Sequence, residues 1–195
     1  MRVIAGQLKG RKIPFINRRF GNARVTSERV KEAVFSMLGT ELPGRSFLDL
    51  FAGSGQMGLE AFSRGCITVM NEPDRRRYGF ISGLLDELDL RSQIVLHRLP
   101  AKRLVRVLGD GGDRFDVIYL DPPYHEQVEG EPMAQWALES VASATLLRPG
   151  GVVAVQHDSR LDLLGVAGDL AVLREKRYGD TSITLYGHLL PVAGR

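Results

Sequence analysis

The stretch that most constrains the fold is an apolar run followed at once by a glycine-containing turn. Residues 46–50 read Ser-Phe-Leu-Asp-Leu, short and without helical spacing, which predicts a buried parallel strand over about 46–51. Gly53 and Gly55 let the backbone turn sharply and approach a ligand, and a helical pattern follows from Gln56 to Arg64. Strand, glycine turn and helix form the first half of a nucleotide-binding α/β unit, whose ligand binds at the carboxyl end of the strand.

Beyond this junction the chain alternates between strand and helix patterns. The predicted strands lie at about 67–72, 93–98, 115–120 and 151–156, and the predicted helices at about 56–64, 74–88, 101–108 and 133–147. Such alternation is typical of a mostly parallel sheet covered on both faces. Two strand-like runs, 170–178 and 181–189, then flank Gly179-Asp180, a hairpin signal. We predict a Rossmann-like α/β fold with a seven-stranded, mostly parallel sheet, closed by a C-terminal antiparallel hairpin.

Composition excludes several classes of protein. With 195 residues, 44% of them hydrophobic, the chain can bury the core of one domain without metals or disulfides. No apolar run approaches the ~20 residues of a membrane span, and the amino terminus has no signal-peptide core. Cys66 is the only cysteine and the four histidines lie far apart. We therefore expect a cytoplasmic protein without a metal site. We also expect a monomer, although nothing in the sequence decides the oligomeric state.

The positive charge is concentrated at the start of the chain. Residues 1–31 hold nine basic residues and one acid, a net charge of +8, whereas residues 32–195 hold 17 basic and 22 acidic residues, a net charge of −5. A basic arm on an acidic body is typical of a polyanion-binding protein, although a solvated, flexible terminus would have the same charge. The arm is predicted to form strand-like stretches at 2–8 and 10–15, a loop at 17–24, and a helix that ends near residue 38 and is capped by Thr26 or Ser27.

Two carboxylates accompany the glycine turn. The turn matches the G-x-G-x-x-G pattern over residues 53–58, which also occurs in nicotinamide oxidoreductases. Asp49 favours another class, because a carboxylate inside a strand needs a cationic or donor partner. The ammonium of an amino-acid moiety would serve, and so would nearby loop amides. Glu72 ends the second strand, where an acid accepts hydrogen bonds from ribose hydroxyls, although a surface role is also open. Asp74 is predicted to cap the following helix.

The tetrapeptide Asp121-Pro122-Pro123-Tyr124 directly follows the predicted strand 115–120. Two successive prolines fix φ and remove two backbone donors, which leaves a rigid turn with carbonyl acceptors. Asp121 and the carbonyl of Pro122 can accept the two hydrogens of an exocyclic amine on a planar ring, and Tyr124 can stack on that ring. The tetrapeptide thus predicts a site that turns the amine nitrogen toward an electrophile; a plain proline turn is the alternative.

These motifs together resemble those of S-adenosylmethionine-dependent amino-methyltransferases, with residues 51–55 (Phe-Ala-Gly-Ser-Gly) paired with residues 121–124. Further stretches, which extend the likeness to almost the whole chain, resemble the bacterial family that methylates the guanine N2 amine in small-subunit (16S) ribosomal RNA: Arg2–Gly6, Gly10–Ile13, Thr26–Glu32, Gly58–Ala61 and Tyr178–Thr181. The chain departs from that family at Val25, where proline is usual, and at Leu99-Pro100, where the family tends to place a polar residue near the adenine.

The resemblance implies a class I methyltransferase that binds S-adenosylmethionine and modifies ribosomal RNA or the small ribosomal subunit. It places a basic RNA-binding extension at residues 1–40, packed on a methyltransferase domain at 41–195. Catalysis would use Asp121, Pro122 and Tyr124. The implied cofactor residues are Asp49, Phe51, Ala52, Gly53, Ser54, Gly55 and, on the ribose, Glu72. The basic residues expected to hold RNA phosphates are Arg2, Lys9, Arg11, Lys12, Arg24 and Arg29.

Other functions are compatible with parts of this pattern. A DNA adenine-N6 or cytosine-N4 methyltransferase would use the same tetrapeptide, but it would usually need a separate target-recognition segment, and no stretch here is long enough. A non-catalytic RNA-binding assembly factor on a methyltransferase fold is a second alternative, which the intact Asp49, Gly53, Gly55 and Asp121 disfavour. A nicotinamide oxidoreductase is the third.

Overall fold

The computed structural model describes residues 1–16, 20 and 26–189, and the chain forms two compact units, Met1–Leu104 (unit 1) and Val105–Arg195 (unit 2). The elements of unit 1 are α1 (Glu28–Leu38), β1 (Ser46–Asp49), α2 (Gln56–Ser63), β2 (Ile67–Asn71), α3 (Arg75–Glu87) and β3 (Val95–His97). The boundary between the units falls within α4 (Ala101–Asp110).

Unit 1 is built on a parallel sheet with the strand order β3-β2-β1. Strand β1 pairs with β2 from Ser46 opposite Ile67 to Asp49 opposite Met70. Every residue of α2 is buried. A Cβ atom on Gly58 would lie 2.3 Å from the Met70 sulfur, so glycine at this position lets α2 pack directly on β2.

The amino-terminal segment departs from the predicted strand pair at 2–8 and 10–15. It forms one antiparallel bridge between Arg2 and Lys12, and Val3 N donates to Arg11 O at 2.9 Å. Beyond the bridge the amides of Ile4 and Ala5 donate to a side chain on α2 instead of a neighbouring strand. A strand ladder cannot continue there because its donors are already engaged.

Helix α1 begins after Ser27, whose hydroxyl accepts from Val30 N at 3.2 Å, so the second of the two predicted caps is the one used. The predicted loop at 17–24 lies outside the described residues apart from Phe20, whose ring stacks on Phe15 with centroids 4.5 Å apart. Residues 1–40 and 41–104 share unit 1, and the division at residue 40 into an RNA-binding and a catalytic part stays a prediction.

Unit 2 has a sheet with the strand order β4-β7-β10-β9-β8. Strands β4 and β7 are parallel, and the pairs β7–β10, β10–β9 and β9–β8 are antiparallel. Helix α5 and a two-stranded β5–β6 sheet complete it. The bounds are β4 (Phe115–Leu120), β5 (Gln127–Val128), β6 (Glu131–Pro132), α5 (Met133–Ser143), β7 (Leu147–Asp158), β8 (Val166–Ala167), β9 (Leu170–Tyr178) and β10 (Thr181–His188).

The structure confirms the α/β class, the mostly parallel strands and the C-terminal antiparallel hairpin. In the described residues, the main sheets of units 1 and 2 hold three and five strands, against seven predicted. The extra strand, β8, has only two residues and leaves no pattern in the sequence. Helix α5 ends at Ser143 rather than 147 because Thr145 has a φ of 53°, and Leu147 already pairs with Phe115 in β7.

Within the described part of the chain, none of the helices combines the length and apolar character needed to cross a lipid bilayer.

Candidate active site

The turn after β1 has the backbone that its glycines predict. Gly53 and Gly55 have φ values of 56° and 76°, and Gly55 is the N-cap of α2. Gly55 N donates to Ala52 O at 2.7 Å, and Ala52 N donates to Asn71 O at 2.9 Å. A Cβ atom on Gly55 would lie 3.2 Å from an Ile81 side-chain carbon. The left-handed φ therefore favours glycine at residue 55, and a larger residue there would also press on the Ile81 side chain.

Asp49 lies at the carboxyl end of β1 and is fully buried. Its Oδ2 accepts a hydrogen bond at 3.1 Å from the backbone N of Gly58 in the first turn of α2. The sequence left a backbone-amide partner open for this carboxylate, and the structure shows one. A carboxylate has about four acceptor positions, so Asp49 can also accept from an ammonium group. Its role toward a cofactor stays a prediction.

Glu72 is only 2% exposed, which excludes a surface role. Its Oε2 accepts from Gly53 N at 2.8 Å, and its Oε1 accepts from Asp74 N at 2.9 Å and Arg77 Nε at 3.0 Å. Burial raises the pKa of Glu72, and Arg77 and the backbone donors oppose that shift. Glu72 thus connects the glycine turn to the start of α3. A ribose contact by the same carboxylate stays a prediction.

Asp74 caps α3, as the sequence predicts. Its Oδ1 accepts from Arg76 N at 3.0 Å and from Arg77 N at 2.9 Å. These hydrogen bonds to the first helical amides lower the pKa of Asp74. The cap fixes the direction in which the chain leaves Glu72.

Asn71 is a site residue that sequence reasoning missed. It is fully buried; its Nδ2 donates to Leu50 O at 3.2 Å and Leu99 O at 3.0 Å, and its Oδ1 accepts from Leu99 N at 3.1 Å. One side chain thereby joins the segments that follow β1 and β3. The Leu99 N–H, at the site where the family pattern expects a polar residue, already has a partner. The signal that could have revealed Asn71 in the sequence is an amide side chain near the end of a strand that is otherwise mostly apolar.

The amino-terminal segment contacts the glycine turn and the start of α2. Gln56 Nε2 donates to Thr26 O at 2.7 Å, and Ser54 Oγ lies 3.9 Å from the Met1 sulfur. Gln56 was not among the predicted site residues, because its partner lies 30 positions away in the sequence. The shape of this turn therefore depends on contacts with the basic segment.

A buried ion pair anchors the same segment. Lys31 Nζ lies 3.4 Å from Glu60 Oε2, and neither side chain is exposed. The Glu60 carboxylate also accepts from Ile4 N at 2.8 Å, Ala5 N at 3.1 Å and Arg64 Nε at 2.8 Å. Burial lowers the pKa of Lys31, and Glu60 opposes the shift. Lys31 contributes to the charge of the arm, but its buried ammonium is not available to RNA.

The predicted RNA-binding residues lie on the surface where the structure describes them. Arg2 forms a long contact with Glu28, 3.9 Å between Nε and Oε1, with both side chains largely exposed. Arg24 lies outside the described residues. The remaining predicted residues are exposed: Lys9, Arg11, Lys12 and Arg29. Their contact with RNA stays a prediction.

In unit 2, the tetrapeptide turn follows β4. Asp121 and Tyr124 are half-buried and Pro122 is buried. The Tyr124 hydroxyl donates to Thr181 Oγ1 at 3.4 Å. Thr181 is the first residue of β10 and pairs with Asp158 at the end of β7. Because β4 and β7 are parallel, their carboxyl ends share one edge of the sheet, and the β9–β10 turn reaches the tetrapeptide there.

Buried polar side chains lie within the sheet of unit 2, close to this edge. His157 Nδ1 donates to the Asp158 carbonyl at 3.0 Å, since a carbonyl only accepts, and Nε2 then accepts from Thr184 Oγ1 at 2.9 Å. Tyr119 donates to Gln156 Oε1 at 2.7 Å. Burial lowers the pKa of His157. Burial at the end of β7 thus favours the neutral form of the ring.

Each unit brings its own predicted residues together. In unit 1 the residues at one turn are Asp49, Phe51, Ala52, Gly53, Ser54, Gly55 and Glu72. In unit 2 the turn consists of Asp121, Pro122 and Tyr124. Over residues 1–16, 20 and 26–189, the acidic, histidine and cysteine side chains form no group of three or more that could hold a metal ion.

Comparison with known proteins decides the family. The model of the family described as "Conserved hypothetical protein 95" matches residues 1–187. The chain belongs to this family. Among its relatives, the Bacillus subtilis protein named "Putative rRNA methyltransferase YlbH" is 34% identical, over 95% of this chain and 98% of that one. The Haemophilus influenzae "Ribosomal RNA small subunit methyltransferase D" is 31% identical, over 95% and 93%.

The fold of this Conserved hypothetical protein 95 member also matches solved structures. A hypothetical protein from Thermus thermophilus superposes with a TM-score of 0.81 at 25% identity, over 97% of this chain and 99% of that chain. Family and fold together confirm the resemblance to the ribosomal RNA methyltransferases that the motifs indicated.

Proposed function

We propose that this protein transfers the methyl group of S-adenosylmethionine to the exocyclic N2 amine of a guanine in small-subunit (16S) ribosomal RNA. It is an S-adenosylmethionine-dependent methyltransferase that acts on small-subunit ribosomal RNA; the guanine N2 amine is the finer part of the proposal. The observation that carries it is the rigid Asp121–Tyr124 turn at the carboxyl end of β4. Such a turn offers a carboxylate, a fixed carbonyl and an aromatic plane to an amino-bearing base.

The residues of the glycine turn fit the cofactor. Asp49 is fully buried, so its carboxylate favours a cationic partner, and an amino-acid ammonium is one. Glu72 accepts from Gly53 N at 2.8 Å and, as a carboxylate directly after β2, suits ribose hydroxyls. Gly53 and Gly55 let the backbone approach the methionine part without a Cβ in the way. The cofactor supplies a methyl group already activated by its sulfonium.

The protein then acts mainly by positioning. Asp121 and the Pro122 carbonyl accept the two hydrogens of the guanine N2 amine, which turns the nitrogen lone pair toward the methyl carbon. The bound cofactor would supply the methyl group to N2 and keep the electron pair of the C–S bond on its sulfur, and the carboxylate of Asp121 would stabilise the positive charge that develops on the nitrogen. Proton loss to water follows transfer, so Asp121 need not act as a base beforehand. Tyr124 holds the ring by stacking.

The target guanine must be unpaired or extruded, because base pairing engages its N2 amine. The exposed basic residues of the amino-terminal segment, Arg2, Lys9, Arg11, Lys12 and Arg29, would hold the phosphate backbone of the RNA. We therefore expect the affinity for RNA to fall steeply as the salt concentration rises.

The decisive test is tritiated methyl transfer onto ribosomal RNA and small subunits from a strain that lacks the protein, followed by nucleoside analysis. Wild-type protein should yield N2-methylguanosine. Asp121→Ala should lose about 100- to 1,000-fold in rate while it still binds the cofactor. Asp116→Ala is the matched control, because Asp116 lies on the same strand and pairs with the partly exposed Arg148 at 3.5 Å; its rate should stay near that of wild type.

Three results would contradict the proposal. The first is full activity of Asp121→Ala, the second is a methylated nucleoside other than N2-methylguanosine, and the third is transfer to DNA instead of ribosomal RNA. We also propose that the protein acts as a cytoplasmic monomer. Light scattering should then give a solution mass near the 21.6 kDa of one chain, and a doubled mass would contradict the monomer.

A further inference from the structure

We propose that two arginines beside the Asp121–Tyr124 turn, Arg160 and Arg177, bind phosphate groups of the RNA strand next to the target base. We call this pair the arginine rim. The inference rests on the proposed function and adds an RNA contact in unit 2 that is separate from the basic amino-terminal segment.

The register of the sheet places Asp158 and Tyr178, the sequence neighbours of the rim, beside the residue that contacts the turn. Thr181, whose hydroxyl lies 3.4 Å from that of Tyr124, pairs with Asp158 of β7 on one side and with Tyr178 of β9 on the other. Cα partners in an antiparallel ladder lie about 5 Å apart. Asp158 and Tyr178 are therefore the nearest strand neighbours of the residue that contacts Tyr124.

Arg160 follows Asp158 by two residues, and Arg177 directly precedes Tyr178. In addition, Ser159 N donates to Asp180 O at 3.0 Å, which joins the loop after β7 to the β9–β10 turn. The two arginines consequently belong to adjoining backbone segments on either side of Thr181.

Both arginines donate hydrogen bonds to neighbouring protein oxygens, and both side chains are exposed to solvent. Arg160 donates from Nε to Asp158 Oδ1 at 2.9 Å and from Nη2 to Oδ2 at 2.7 Å, with 78% of its side chain exposed. Arg177 Nε donates to Gly179 O at 3.1 Å and is also exposed. A guanidinium has five N–H donors, so each arginine keeps donors for a phosphate. Its partial orientation reduces the entropy lost on binding.

The positive charge of unit 2 is concentrated at this place. Residues 105–195 hold eight basic and thirteen acidic residues, a net charge of −5. Four of the eight basic residues fall in the short segments 158–160 and 174–180, where three acids leave a net charge of +1, so the rest of the unit carries −6. Asp158, one of those three acids, is the partner of Arg160. This is the part of unit 2 to which a polyanion is attracted.

The geometry of the substrate brings backbone phosphates close to the turn. A guanine held at Asp121–Tyr124 stays attached to its own sugar and phosphates, so the adjoining backbone must pass close to the turn. An extruded base also loses its stacking and pairing energy. Cationic contacts to the flanking phosphates compensate for that loss without reading the sequence.

The test compares the Arg160→Gln/Arg177→Gln double variant and Arg177→Gln alone with Arg148→Gln. Arg148 is the matched control, because it lies near the amino end of the same strand as Asp158 and is also half exposed. We expect the double variant to raise KM for small-subunit RNA about tenfold or more, with kcat at saturating RNA and cofactor affinity unchanged. The slope of log K against log salt should fall by about 0.7 for each phosphate that the variant no longer binds.

Arg177→Gln alone decides the outcome if the loss of Arg160 disturbs the end of β7, because it leaves the Asp158–Arg160 pair intact. A salt slope and KM equal to those of Arg148→Gln would overturn the inference, and so would a fall in kcat at constant KM. Failure of the proposed function has a different signature: wild-type protein would then methylate no small-subunit RNA. If the protein methylates RNA but the arginine rim does not bind it, wild type and variants would be equally active on RNA.

Discussion

The two turns that follow β1 and β4 are held in different ways. The glycine turn of unit 1 takes its shape from tertiary contacts: Glu72 binds Gly53 N at 2.8 Å, and the fully buried Asp49 binds Gly58 N at 3.1 Å. The proline turn of unit 2 takes its shape from its own covalent structure, because two pyrrolidine rings fix φ. The side chains proposed to hold the base, Asp121 and Tyr124, are only half-buried.

This difference fits the two ligands that the turns are proposed to hold. A small cofactor with an ammonium and ribose hydroxyls can be enclosed by buried carboxylates. A base that belongs to a large RNA must enter from outside, so its site is half exposed and rigid before binding. Distant substitutions should therefore disturb the glycine turn, whereas the proline turn should respond only to changes in residues that touch it.

The largest effect is expected from Glu60→Gln, which breaks the buried pair that anchors the amino-terminal segment to α2. Lys31, 3.4 Å from Glu60, would keep a buried and uncompensated charge. Removal of one partner of such a pair typically costs about 3–5 kcal/mol, and we expect a loss of that size in the free energy of unfolding, measured by urea denaturation.

The matched control for Glu60→Gln is the Lys31→Met/Glu60→Gln double variant, which removes both buried charges and should recover much of the stability. In unit 2, loss of the partly exposed Asp116–Arg148 pair through Asp116→Asn should cost less than about 0.5 kcal/mol. If Glu60→Gln lowered the free energy of unfolding no more than Asp116→Asn does, the conclusion that unit 1 depends on its buried ion pair would be wrong.

A smaller effect is expected from Asp49→Asn, and it concerns the cofactor rather than the fold. Asparagine can still accept from Gly58 N, but it no longer carries a negative charge for an ammonium group. Hydrogen bonds to charged groups contribute about 1.5–3 kcal/mol, so cofactor affinity measured by calorimetry should fall roughly 10- to 100-fold. Asp121→Asn is the counterpart on the other turn, and it should slow transfer without weakening the cofactor. Equal loss of cofactor affinity in both variants would contradict the proposal that Asp49 serves the cofactor and Asp121 serves the base.

Thr181→Val should have a modest effect, confined to the proline turn. The substitution keeps the volume but removes the 3.4 Å contact with the Tyr124 hydroxyl. A neutral hydrogen bond contributes about 0.5–1.5 kcal/mol, so kcat/KM for RNA should fall about 2- to 10-fold, with unchanged cofactor affinity. Thr181→Ser, which keeps a hydroxyl, should restore most of the activity. A serine variant as slow as the valine variant would exclude the contact as the cause.

The smallest expected effect is the pH dependence that His157 gives to stability. Burial lowers its pKa below the ordinary value of 6.5, so below that pH the unfolded chain binds a proton that the folded chain does not. The stability due to neutral His157 is therefore complete above about pH 6.5 and falls as the pH drops through its lowered pKa. Urea midpoints across this range should decline less for His157→Gln than for wild type. Parallel curves would contradict the assignment.

Much of the fold and part of the site could be predicted from local sequence. The bounds of α2, α3 and β4 follow from periodicity, and the cap at Asp74 follows from side-chain oxygens that bond to amides two and three residues on. The two-residue strands β5, β6 and β8 could not be predicted, because they are too short to show a period.

The residues that sequence reasoning missed share another feature. Asn71 joins Leu50 and Leu99, which lie 21 and 28 positions away, and Gln56 bonds to Thr26, 30 positions away. No local pattern contains such pairs, because the partners meet only when strands and helices pack.

The positions of both turns could be predicted from residue types alone, because prolines fix φ in one and glycines allow the left-handed backbone in the other. Only the tertiary structure decided which charged side chains of the basic segment are buried. Lys31 lies in a basic segment and is of a residue type usually found on the surface. Its ammonium is nevertheless buried beside Glu60, 29 positions further along the chain. Burial depends on what packs over a side chain, and that is set by distant residues rather than by neighbours in the sequence.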